Sequence, residues 1–140
     1  MSALRPLDAA LAALYPAFAA LPAAQRTRLR AGMVEFEVPR GTRLFDAGTP
    51  CRGFPLVLEG SVRVARTHED GRALELYRVS PGEICIVSTG CLMQGRPLSA
   101  DGVAAEDTRI ALLGREAFLD ATADPQVRQV FKIRVSKMRH

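Results

Sequence analysis

At 140 residues the chain is the size of one domain, and with 48% hydrophobic and 24% charged residues it can bury a core, so disorder is not the default. Its net charge of +4 is local: Arg128, Lys132, Arg134, Lys137 and Arg139 all follow Asp124, where no acid stands. Removing those five from the 19 basic residues leaves 14 against 15 acids, so the body does not read as a generic nucleic-acid-binding surface.

Leu11, Leu14, Tyr15 and Phe18 form an apolar stripe that predicts a helix from Leu7 to about Leu21. Asp8, Pro16 and Pro22 interrupt this Ala-rich stretch, which argues against a secretion signal or a membrane span of about 20 apolar residues. After Pro22, residues Ala23 to Met33 predict a second short helix carrying Arg26, Arg28 and Arg30. The odd count of Cys51, Cys85 and Cys91 does not suggest a disulfide framework, so a reducing cytoplasm is the expected location, with no membrane partner.

At Val34 the period changes. Val34-Glu35-Phe36-Glu37-Val38 alternates as a half-buried strand does, and Gly41, Gly48, Gly60, Gly71 and Gly82 then punctuate short apolar runs. Val62–Arg66 and Leu74–Tyr77 read as a hairpin turned at Glu69-Asp70-Gly71, where Asp-Gly is expected to supply positive φ angles. Ser80-Pro81-Gly82-Glu83 ends the meander and an apolar stretch with two cysteines follows from Ile84. Val103 to Ala105 and Thr108 to Leu113 predict the last strands, and Gly114 to Leu119 a short helix. Asp124-Pro125 starts a further helix, with Val127, Val130, Phe131, Val135 and Met138 at helical spacing. Three segments are expected: helices over 1–33, a β unit over 34–113 and a helical segment over 114–140.

Several of these stretches carry a resemblance. Gly41-Thr42-Arg43-Leu44-Phe45-Asp46-Ala47-Gly48, the run Phe54 to Val64 around Gly60, Ser80-Pro81-Gly82-Glu83 and Leu113-Gly-Arg-Glu-Ala-Phe118 occur in the order found in cyclic-nucleotide-binding domains. The chain most resembles the sensor half of Crp/Fnr-type bacterial transcription regulators. That resemblance implies a mainly β fold with flanking helices: a double-stranded β-helix, or jelly-roll, barrel. It implies a small-molecule effector and, in the full-length parent, a homodimer seamed by Val127, Phe131, Val135 and Met138; the residues alone equally allow a helix that packs on its own barrel with its charges in solvent. It also implies regulation of transcription through a DNA-binding domain expected to be absent from this chain.

Family members that bind cyclic nucleotides follow the Pro-Gly turn with a Gly-Glu pair and then an Arg-Ser/Thr pair that holds the phosphate. Backbone N–H groups at a helix start and one guanidinium suit a buried phosphate monoanion. Here Ile86 and Val87 lie near the Gly-Glu place; if Ser99-Ala100 matches the family's Ser/Thr-Ala, Leu98 takes the arginine position, with Arg96 two residues early. Loss of that anion partner costs on the order of several kcal/mol, so cAMP or cGMP binding is expected to be weak or absent.

Two alternatives stand beside a sensor of some other effector. In one, Gly82, Glu83, Ser88, Thr89, Arg96 and Ser99 form a reshaped cassette that does bind a cyclic nucleotide. In the other, Cys85 and Cys91 serve a redox or metal sensor, against the plainer reading of cysteines as small core residues. Two cysteines are too few for a four-thiolate site, and His68 and His140 read as a turn residue and a terminus rather than haem ligands, so no metal site is assigned and the cofactor stays open. No catalytic triad, phosphate loop or paired acid stands out, so the chain is not expected to be an enzyme.

Overall fold

The computed structural model describes residues 6–129. The N-terminal stripe forms two helices instead of one. Leu7, Ala10 and Leu11 bury one face of α1 (Leu7–Leu14), and Pro16 then opens the short α2 (Pro16–Ala19). The break is a backbone effect: a residue preceding proline is driven out of the helical region, and Tyr15 sits at φ −128°, ψ 69°. The third helix, α3 (Ala23–Ala31), buries Leu29 and ends before Met33, which opens β1 (Met33–Val38).

With β1, the described residues form seven strands in two antiparallel sheets. The first has the order β1-β7-β3, with β3 spanning Gly53–Glu59 and β7 Thr108–Gly114. The second has the order β2-β6-β4-β5, from Arg43–Phe45, Asp101–Ala104, Val62–Thr67 and Ala73–Val79. Among the described residues no named strand belongs to both sheets, so the pairing is of two sheets and not of one closed barrel. Gly60 permits the passage from β3 to β4: at φ +84° a Cβ there would come 2.4 Å from the Asp107 carbonyl oxygen.

The two glycine turns foreseen around β5 form by different means. At the hairpin Gly71 alone takes a positive φ (+87°), with its N–H on the His68 carbonyl at 2.9 Å and His68 N–H on Arg72 at 2.8 Å. Asp70 keeps a negative φ, so the expected mirror-image two-residue turn is replaced by a tight turn closed by a glycine bulge. Ser80-Pro81-Gly82-Glu83 has proline second, glycine third at φ +87° and a closing Glu83 N–H to Ser80 carbonyl bond of 3.0 Å, a type II turn.

The apolar stretch after this turn folds as α4 (Ile86–Gln94), stopped by Gly95 in the left-handed conformation at φ 66°. The next helix, α5 (Arg115–Thr122), stacks Phe118 on Phe54 of β3, ring centroids 5.1 Å apart. Beyond it residues 125–129 are helical, and Asp124 accepts the Gln126 N–H at 2.9 Å as the expected cap.

The register of the β1-β7-β3 sheet sorts its side chains between two cores. Phe54 and Leu56 share one face with Ala111 and Leu113, packed with Phe118 and the helices. Phe36, Ile110 and Val57 lie in one row on the opposite face, toward Val62, Val64 and Val79 of the other sheet. Glu35 does not simply meet solvent: it pairs with Arg109 of β7, whose side chain is 6% exposed.

Candidate functional site

The pocket that the sequence points to would be framed by the Pro-Gly turn, α4 and the loop that follows it. Each predicted residue there has a definite place. Gly82 is buried in the turn, and the Glu83 carboxylate accepts the Ser80 N–H at 2.7 Å while its carbonyl accepts the Tyr15 hydroxyl at 2.8 Å. Both belong to the turn and its anchor on α2's entry. Ser88 is 1% exposed and donates to the Cys85 sulfur at 3.2 Å; Thr89 donates to the Cys85 carbonyl at 2.8 Å.

The loop after α4 sends its polar groups outward. Arg96 is exposed and bonded to the Gln94 side chain two residues away, and Ser99 is exposed as well. Leu98 points inward at 3% exposure, buried with Cys91 and Leu92. So Ser88 alone of the six lines the space between the sheets.

Tyr77 is the residue that sequence reasoning missed. Its hydroxyl oxygen accepts the Val87 N–H at 2.9 Å, which satisfies one of the backbone donors that the start of α4 would otherwise present. The Cys85 sulfur lies 3.8 Å from the same hydroxyl. Burial raises the pKa of Tyr77, so the hydroxyl stays neutral. Nothing local in the sequence marks this contact, because it joins residues ten apart across a turn.

The thiols are also arranged differently from their spacing in sequence. Cys85 engages Ser88 and Tyr77, whereas Cys91 interacts with Cys51, forty residues away in sequence. Burial pushes the Cys51 thiol up to about 11 and raises that of Cys85. All three cysteines are free and buried, and among the described residues no group of three His, Cys, Asp or Glu is placed to hold a metal ion. Val127, expected on a dimer seam, is 1% exposed within this chain's own core; Phe131, Val135 and Met138 lie outside the described residues.

Between the sheets lies a cavity of about 810 Å³. Its walls are Phe36, Leu44, Val57, Val62, Val79 and Ile110, and its polar rim includes Arg43, Asp46, Thr49 and Arg52. Two sheets, a type II Pro-Gly turn leading into a short helix, and an interior space beside that helix are the parts the resemblance requires. Residues 35–124 match the model of the cyclic nucleotide-binding domain. The chain belongs to that family.

This cyclic nucleotide-binding domain is related to Crp/Fnr-type regulators. It is 32% identical to the N-terminal domain of a transcriptional regulator from Streptomyces coelicolor A3(2), with a TM-score of 0.67 over 87% of this chain and 85% of that one. It is 36% identical over 81 residues to the cyclic AMP receptor protein of Thermus thermophilus, which covers 58% of this chain and 37% of that protein. The structure of the catabolite activator protein from Thermus thermophilus matches with a TM-score of 0.72 at 28% identity, over 87% of this chain and 57% of that one. The chain thus spans little more than a third of the length of the curated relative it matches. No helix among the described residues is long and apolar enough to cross a membrane.

Proposed function

We propose that this domain is the effector-sensing module of a Crp/Fnr-type transcription regulator whose effector is not a classical cyclic nucleotide. The observation that carries the reading is the inward Leu98 together with the outward Arg96. A buried phosphate monoanion needs a cation or several free backbone donors. The cassette of this chain supplies an isobutyl group in one place and gives a helix-start N–H to Tyr77 in the other. Placing a phosphate there would leave its charge unpaired.

In this reading the residues 34–113 form the jelly-roll sensing unit, flanked by helical segments over 1–33 and 114–140. Phe131, Val135 and Met138 seam a homodimer in the full regulator, and DNA reading falls to residues outside these 140. The module works in the cytoplasm and acts by binding, not by catalysis.

A thermal-shift titration of the reduced chain tests it, since a ligand of the folded state raises its melting temperature. Millimolar cAMP or cGMP is expected to leave the melting temperature unchanged. A saturable rise that disappears in Arg96→Ala would show that the loop after α4 turns inward and that this is a nucleotide sensor.

A further inference from the structure

The cavity between the sheets has a chemistry of its own. Its volume falls within the roughly 300–1,000 Å³ range of small-molecule sites. The polar side chains that reach it from within are already engaged: Ser88 with Cys85, and Cys51 with the Gly53 carbonyl at 3.0 Å. Among the described residues the single buried side-chain polar atom without a partner is Gln25 Oε1, which belongs to α3 and does not line this space. A polar group carried deep between the sheets would therefore meet no charged side chain and no buried side-chain group left without a partner among the described residues.

The rim differs. Arg43 is committed to Asp46 at 3.0 Å and to Asp101 at 3.6 Å. Arg52 is exposed at the cavity, and among the described residues its guanidinium enters no ion pair. A guanidinium in that position suits a carboxylate by two parallel hydrogen bonds.

We infer that the cavity binds a small amphiphile with one carboxylate, of the medium-chain fatty-acid class, its tail between the sheets and its head on Arg52. This deepens the reading of a non-nucleotide effector and rests on it. The apolar walls gain by excluding water from the tail, and the head stays at the rim where solvent and Arg52 share its charge.

Titration calorimetry of the full chain with octanoate, with octan-1-ol as the headless control, tests the assignment. Both are expected to bind saturably with a negative heat-capacity change, the mark of apolar burial. Arg52→Gln, an exposed change that leaves the core intact, is expected to weaken octanoate about tenfold and leave octan-1-ol unaltered. Val79→Phe, which fills the cavity, is expected to abolish both; if that variant does not fold, the Arg52→Gln comparison decides alone. No saturable binding of octanoate, or equal affinity in Arg52→Gln, overturns the inference. Saturable binding of cAMP in the same experiment would instead overturn the non-nucleotide reading, so the two failures are told apart.

Discussion

The two faces of the β1-β7-β3 sheet are built from the same kinds of side chain and end in opposite states. On one, Leu56, Ala111 and Leu113 are sealed beneath the helices and the stacked Phe54–Phe118 pair. On the other, Val57 and Ile110 are equally dry at 0% and 1% exposure, yet border a cavity whose lining also includes the half-buried Pro55 and Leu112. Burial alone therefore does not report packing. The helix face is where stability resides, and the sheet-to-sheet face has spare room that a ligand can take.

The sharpest way to break this contrast is a pair of isomeric truncations. Leu56→Ala on the helix face is expected to cost toward 5 kcal/mol, because close-packed neighbours cannot collapse into the gap. Ile110→Ala on the cavity face is expected to cost about 2 kcal/mol, since its side chain already meets open space on one side. Urea denaturation of both variants measures the difference. Equal costs would mean that the cavity face is packed as tightly as the other.

A smaller effect separates the cassette from a working phosphate site. Tyr77→Phe keeps the ring and removes the acceptor of the Val87 N–H, so a part-buried donor loses its partner at about 1–3 kcal/mol. Hydrogen exchange should then quicken at the start of α4 and stay slow in β7. If the Val87 amide exchanges at its original rate, the tyrosine is not what closes that helix end.

How far these features were legible depends on the sequence distance over which they are decided. Turns written in adjacent residues came through: the Pro-Gly turn before α4 and the Asp124 cap are fixed by local chain geometry. The helix break at Tyr15-Pro16 was equally local and was overridden in the reading by the apolar stripe, although a residue before proline rarely stays helical. Leu98, which takes the arginine position if Ser99-Ala100 matches the family's Ser/Thr-Ala, is an apolar side chain in a polar loop, and it is buried at 3% exposure. The Tyr77 cap, the Cys51–Cys91 neighbourhood and the ion pair of Arg109 with Glu35 were not visible, because each is set by which strands become neighbours. Val127 shows the same limit: helical spacing marks an apolar stripe but not whether the chain's own core or a second chain covers it.

The thiols offer the finest test of the comparison, because Cys51 lies at the junction of the two regions, buried with the helix-side core while lining the cavity. Burial raises its pKa from 9.0 to about 11, so the folded state prefers the neutral thiol. In the unfolded chain the proton leaves at lower pH. Between about 9 and about 11 the unfolded state therefore binds fewer protons, and stability falls as pH rises through that window. Cys51→Ser, which does not titrate there, is expected to flatten that part of the decline in melting temperature. Octanoate in the cavity is expected to slow alkylation of Cys51 at pH 8 in the parent chain, as a tail between the sheets closes the thiol's route to solvent. Alkylation that proceeds unchanged with octanoate bound would place the tail elsewhere and leave the helix-side core as the thiol's only neighbour.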